Sequence, residues 1–267
     1  MIPTAEIARL AHHLGVGDRV IEKDYVLSWL LIAIAKSNLR NALVFKGGTA
    51  LKRAYYPDYR FSEDLDFTLC ADRSHDDLTR AFEALFPWLS QHVNLTFTLR
   101  SAEQSVFEST TLLVNYVGPL RACPGARHLK VDITRGELLL YPVNERLLQA
   151  PYSDYPTNVR LPTYPLEEIL TEKLCALMGR TEPRDLYDVY WLFDWNDVDL
   201  SFLPASFSAK CRHKGQDPTR LGEALRSKTR TFDRLWASRL AVQVSDLPHM
   251  AEVLRAVRRH LRDLGLA

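Results

Sequence analysis

Residues 44–69 read VFKGGTALKRAYYPDYRFSEDLDFTL, and this stretch decides the fold. Val44 and Phe45 close an apolar run, and Gly47-Gly48-Thr49 breaks it. Ala50, Leu51 and Ala54 then recur at helical spacing. After a loop, Asp64-Leu65-Asp66 enters a second apolar strand that ends at Leu69. The order is strand, glycine turn, short helix, loop, strand.

Side chains at i and i+2 of a strand point the same way, about 6.5–7 Å apart. Asp64 and Asp66 therefore face one side, and Leu65 and Phe67 the other. Two like charges so placed disfavour each other's ionisation. A lone pair of acids on a strand edge is often just solvated, and a glycine pair is often just a turn. The combination says more. Mg²⁺ takes one or two carboxylates plus phosphate oxygens, and backbone N–H groups at a glycine turn entering a helix make an anion site. With Arg60 just ahead of the acids, the stretch points to metal-dependent phosphate chemistry.

The chain of 267 residues is 46% hydrophobic and 25% charged, an ordinary globular composition that suits one large domain or two joined lobes. Its uncharged apolar run, Tyr25 to Ala35, is too short to span a bilayer. The opening MIPTAEIARL is charged and carries no cleavable signal pattern, so a soluble, cytoplasmic protein with no membrane partner is expected. Cys70, Cys123, Cys175 and Cys211 are scattered without metal-ligand spacing and support neither a zinc site nor a disulfide framework. Charge is unevenly spread: residues 210–267 hold 13 Lys and Arg against 6 Asp and Glu, and the remainder holds 21 against 27. A basic C-terminal lobe would fit a polyanionic acceptor such as RNA; helical surfaces are also often arginine-rich without one.

Taken in order, residues 4–14 read as an amphipathic helix, and Asp18 as the N-cap of a longer, largely buried helix to about Lys36. Glu22, Lys23 and Asp24 read as its solvated first turn. Residues 77–91 carry Leu78, Phe82, Leu85 and Leu89 in helical register. Strands are expected at Val93–Leu99, Ser109–Tyr116 and His128–Thr134, with a short one at Glu137–Tyr141. Asp132 stands among apolar neighbours, where it could simply pair with an arginine. The proline-rich passage from Ala150 to Pro165 marks a lobe boundary or crossing segment, and lobes of 1–160 and 161–267 are expected. Helices follow over 165–180, with Pro165 and Gly179 near its ends, and from about Pro183 to Asp194. Lys173 lies on a mostly apolar face, where lysines usually snorkel outward. Asp185 and Asp188 share one helix face. Three or four helices fill Leu200 to Ala267, with Phe232, Leu235, Trp236 and Leu240 as core.

Gly47, Gly48 and Thr49 followed by Arg60-Phe61-Ser62-Glu63-Asp64-Leu65-Asp66-Phe67 resemble the opening motif of the DNA-polymerase-β-like nucleotidyltransferases. More narrowly they resemble the AbiEii/AbiGii toxin family, the nucleotidyltransferase half of type IV toxin–antitoxin systems. The segments EKDY at 22–25, VDIT at 131–134 and EKLCALMGRTEPRDLYDVYWL at 172–192 are similar too, so the resemblance covers nearly all of the chain. It implies an α+β fold: a polymerase-β-like core, a mixed sheet with flanking helices, followed by a helical C-terminal lobe.

The implied activity is Mg²⁺-dependent transfer of a nucleoside monophosphate from an NTP to an RNA acceptor. The expected acceptor is the tRNA 3′ end, the expected outcome a block of translation and growth, and the expected partner a cognate antitoxin. Asp64, Asp66 and Asp132 would hold the metal. Gly47, Gly48, Thr49, Arg60 and Ser62 would contact the NTP, and Lys173 its triphosphate. Asp185 would serve the acceptor side or position Lys173, with Asp188 as the alternate, and Lys23 would reach the active site. A small-molecule nucleotidyltransferase and a non-catalytic nucleotide-binding module stand as alternatives.

Overall fold

The computed structural model describes residues 1–106, 109–194 and 198–266, so Ala267, the end of the expected helical tail, lies outside the described residues. The chain folds as two compact units, Met1–Glu137 with Val143–Tyr164, and Leu138–Pro142 with Pro165–Ala267.

The first unit begins with helices α1 (Thr4–Leu14) and α2 (Asp18–Ala35). Strand β1 (Leu43–Lys46) runs into the short helix α3 (Gly47–Ala50), extended by one wider turn at Leu51–Tyr55, and β2 (Asp64–Leu69) returns beside β1. Helices α4 (His75–Glu83) and α5 (Leu85–Val93) precede β3 (Thr96–Gln104), β4 (Thr110–Val117) and β5 (His128–Thr134). Strands β6 (Asn144–Leu147) and β7 (Arg160–Thr163) complete a seven-stranded sheet of order β3-β4-β5-β2-β1-β7-β6. The sheet is mixed: β2 runs parallel to β5 and β1 parallel to β7, and the other neighbours are antiparallel.

The alternation in the sequence gives this sheet two unlike faces. Leu65, Phe67, Leu112, Val114, Leu129, Val131 and Ile133 are buried on one, with Phe45 beside Phe67. Asp64, Asp66, Lys130, Asp132 and Thr111 stand on the other, because side chains alternate along a strand. Helix α2 is buried on nearly all sides, as its continuous apolar run requires.

Three local expectations are corrected. The expected helix over 77–91 is two helices. Ser74 and Asp77 form a reciprocal cap that starts α4 at His75, and Pro87 lacks the N–H that would bond the carbonyl of Glu83, so the run breaks near Ala84. The strand at Glu137–Tyr141 does not form, because the Leu140 and Tyr141 N–H groups donate to the Glu168 carboxylate at 2.8 and 3.0 Å instead of to a neighbouring strand. Glu22 and Asp24 are buried rather than solvated. Glu22 pairs with Arg127 and accepts from the Leu120 N–H at 2.6 Å; Asp24 pairs with Arg53 and accepts from the Tyr152 hydroxyl. A charge inside a protein needs such partners.

The second unit is helical: α6 (Leu166–Gly179), α7 (Pro183–Asp194), α8 (Leu203–His213), α9 (Leu221–Leu240) and α10 (Met250–Asp263). Phe207, Leu225, Phe232, Trp236, Val257 and Leu261 are among its core side chains, and Leu235 is half-buried. Lys210 is fully buried and compensated by Glu168 and, at 3.4 Å, Glu172. Cys175 and Cys211 are buried thiols in this unit; Cys70 and Cys123 are exposed. Among the described residues no helix is long and apolar enough to cross a membrane.

Candidate active site

The glycine turn and the acids of β2 are in direct contact. Gly47 has φ +79°, a left-handed backbone that side chains rarely tolerate. A Cβ placed there would lie 2.9 Å from Cγ of Asp66, with Oδ2 nearer still. Only glycine admits both the turn and the carboxylate beside it. A Cβ on Gly48 would lie 2.8 Å from Nη2 of Arg60 and 3.3 Å from Oγ of Ser62, so those two polar groups pack against the same bend. Thr49 donates its hydroxyl proton to the backbone carbonyl of Asp64 at 2.6 Å, tying the turn to the first acid. Arg60 itself is buried, with Nη1 donating to the carbonyl of Phe61 at 3.1 Å.

Strand register places the third acid. In the parallel pairing of β2 and β5, Asp66 lies beside Asp132 and Asp64 beside Lys130. In the antiparallel pairing of β4 and β5, Thr111 lies opposite Asp132. Asp132 accepts from the Thr111 hydroxyl at 2.7 Å, and its other oxygen is 2.6 Å from Nζ of Lys130. Burial works to lower the pKa of Lys130, but its bond to Asp132 and the charges of Asp132, Asp64 and Asp66 outweigh burial and raise it. Lys46, at the end of β1, lies opposite Asp66 and places Nζ 3.5 Å from Glu137. Lys23 lies 3.8 Å from Glu63, the residue before Asp64.

Among the described residues no group of three His, Cys, Asp or Glu side chains is drawn closely enough together to hold a metal ion. The donor chemistry nevertheless suits one. Asp64, Asp66 and Asp132 offer hard carboxylate oxygens from adjacent strands on one face, and the glycine beside Asp66 leaves its carboxylate room.

The second unit holds the remaining expected residues. Lys173 does not snorkel outward. Its side chain is 12% exposed and is held between Asp185 at 2.8 Å and Asp188 at 2.7 Å. Arg180 closes on Asp185 from the other side at 2.7 Å. Burial alone would raise the carboxyl pKa of Asp185, but Lys173 and Arg180 hold it below its ordinary value.

Sequence reasoning missed Lys130, Thr111 and Lys46. A signal for Lys130 was present: it stands two residues before Asp132 on the same strand and so shares its face. Thr111 and Lys46 needed the strand register.

The mixed sheet with flanking helices matches the fold of a solved nucleotidyltransferase toxin. The chain is similar to MenT4, a nucleotidyltransferase toxin from Mycobacterium tuberculosis H37Rv, with a TM-score of 0.75 at 20% identity, covering 99% of this chain and 90% of that one. It is also similar to JHP933 from Helicobacter pylori, with a TM-score of 0.55 at 18% identity, covering 93% of each chain. No curated protein matches by sequence. The family described as nucleotidyl transferase AbiEii toxin, type IV TA system, matches residues 29–261, and the chain belongs to that family.

Proposed function

We propose that this toxin transfers a nucleoside monophosphate from an NTP to an RNA acceptor, with the tRNA 3′ end as the expected acceptor, in a Mg²⁺-dependent reaction that blocks translation and growth. One observation carries the reading: the Asp66 carboxylate rests against Gly47, the first residue of the phosphate-type turn. A turn that offers N–H groups to phosphate and a pair of acids able to hold a cation thus meet at one place.

Asp64, Asp66 and Asp132 are the residues that would hold Mg²⁺. When bound, it would neutralise phosphate charge and stabilise the attacking and leaving oxygens. The chain's own part is to position and to supply fixed charge. Gly47, Gly48 and Thr49 cradle the β- and γ-phosphates, with the Arg60 guanidinium and the Ser62 hydroxyl beside them. The acceptor hydroxyl oxygen bonds the α-phosphorus, the bond to the bridging oxygen breaks, pyrophosphate leaves and the hydroxyl proton passes to solvent. Lys173, held by Asp185 and Asp188 within its own unit, is proposed for the triphosphate on the family resemblance alone.

The RNA acceptor is supported by charge. Arg226 and Arg230 on α9 and Arg255, Arg259 and Arg262 on α10 are exposed. Arg258 has its pKa lowered by burial and by the nearby Arg226 and Arg262. Like charges crowded on two helices favour a polyanionic partner that relieves them. A cognate antitoxin and a cytoplasmic location follow from the same reading.

The test is to incubate the purified protein with each α-labelled NTP, Mg²⁺ and total RNA. Label in tRNA is expected, and D64N/D66N should abolish it while the unfolding transition persists. Label confined to small molecules, or labelling by the double variant, overturns the proposal.

A further inference from the structure

On the polar face of the sheet, the β2–β5 register makes a patch of four groups: Asp64 beside Lys130, and Asp66 beside Asp132. Three of the four are acids. The fourth is a lysine whose amine touches Asp132 at 2.6 Å and whose side chain is 42% exposed, so its long stem has room to swing away. We propose that Lys130 is a resident counter-ion of the acidic patch, holding Asp132 until a divalent cation displaces it. The inference rests on the proposed metal role of these acids.

The geometry supports this over an ordinary surface ion pair. A surface pair concerns two groups, whereas Lys130 bonds Asp132 on its own strand and also lies beside Asp64 on the neighbouring one. Both oxygens of Asp132 are occupied, one by Lys130 and the other by Thr111. That accounts for three carboxylates sharing a face without closing on a common point. A monovalent ammonium fixed to the chain reduces the repulsion that Asp64, Asp66 and Asp132 would otherwise exert on one another. It also opposes a second cation, because like charges a few ångströms apart repel even in a polar setting. The lysine would thus set a threshold for metal entry.

The experiment measures Mn²⁺ binding to the full-length, nucleotide-free protein through the paramagnetic resonance signal of free Mn²⁺. Four forms are compared: wild type, K130M, K130R and D64N/D66N, with K130Q in place of K130M if the latter does not fold. Removing the charge should tighten Mn²⁺ binding on the order of tenfold, an effect that shrinks at high salt. K130R, which keeps the charge, should stay near the wild type. K130M binding no tighter than wild type, while D64N/D66N loses binding, overturns the counter-ion role and leaves the metal reading standing. Equal binding by D64N/D66N and wild type, or no binding by any form, overturns both.

Discussion

Gly47→Ala offers the sharpest test of how the turn and the acids depend on each other. Two costs follow from the geometry. At φ +79° an L-residue pays for a left-handed backbone, about 1–2 kcal/mol, part of which is recovered because alanine has fewer unfolded conformations than glycine. The new methyl would also sit 2.9 Å from Cγ and 3.0 Å from Cβ of Asp66. Carbon atoms settle at about 3.5–4 Å, so the Asp66 side chain must retreat by close to an ångström. A shift of that size at a reacting centre costs on the order of 10²-fold in rate. The expected variant is therefore folded and modestly destabilised, but nearly inactive. Gly48→Ala is the graded companion, since its methyl would meet the movable end of Arg60 at 2.8 Å and should cost less. The assay is transfer of label from α-labelled NTP, with urea unfolding in parallel. G47A that transfers label as fast as wild type, or loses less than G48A, refutes the reasoning.

Two further outcomes are expected. Lys52 is buried, donates to the carbonyls of Pro57 at 3.0 Å and Tyr59 at 2.7 Å, and has its pKa lowered by burial from 10.5 to about 8. Between those two values the unfolded chain holds a proton that the folded one has shed, so stability rises with pH at about 1.4 kcal/mol per unit. Urea unfolding across this window should show wild type gaining on K52M by roughly 3 kcal/mol, and parallel profiles would overturn the assignment. Asp185 has its pKa held below 3.8 by Lys173 and Arg180 against the opposing effect of burial. Its contribution is complete above 3.8 and is lost as pH falls through the lower folded value. D185N should cost about 3 kcal/mol at neutral pH, as removal of one partner of a buried pair does, and should flatten the acid limb of the stability profile. An unchanged acid limb would count against it.

Much of the site was legible because it is local. Gly47 and Thr49 are two residues apart, Asp64 and Asp66 likewise, and strand alternation alone aims both acids one way. The helices over 4–14 and 183–194 appeared where periodicity put them, and the break near Ala84 could have been read from the N–H that Pro87 lacks. The segment Glu22–Asp24 misled because a polar first turn is usually solvated; its partners Arg127 and Arg53 stand far along the chain.

The sequence by itself determined the periodicities, the turn that only glycine can make, and which residues carry charge. The tertiary structure decided which charges face one another. Lys130 meets Asp132 by strand alternation, but Asp66 lies beside Asp132 only because β2 and β5 pair in parallel at that register. A shift of one residue would have turned one of the two acids to the apolar face. Likewise helical spacing put Asp185 and Asp188 on one face, but the packing of α6 against α7 placed Lys173 between them. Pairing of distant segments is governed by burial and register, which sum contributions from the whole chain, and no local window of residues contains that sum.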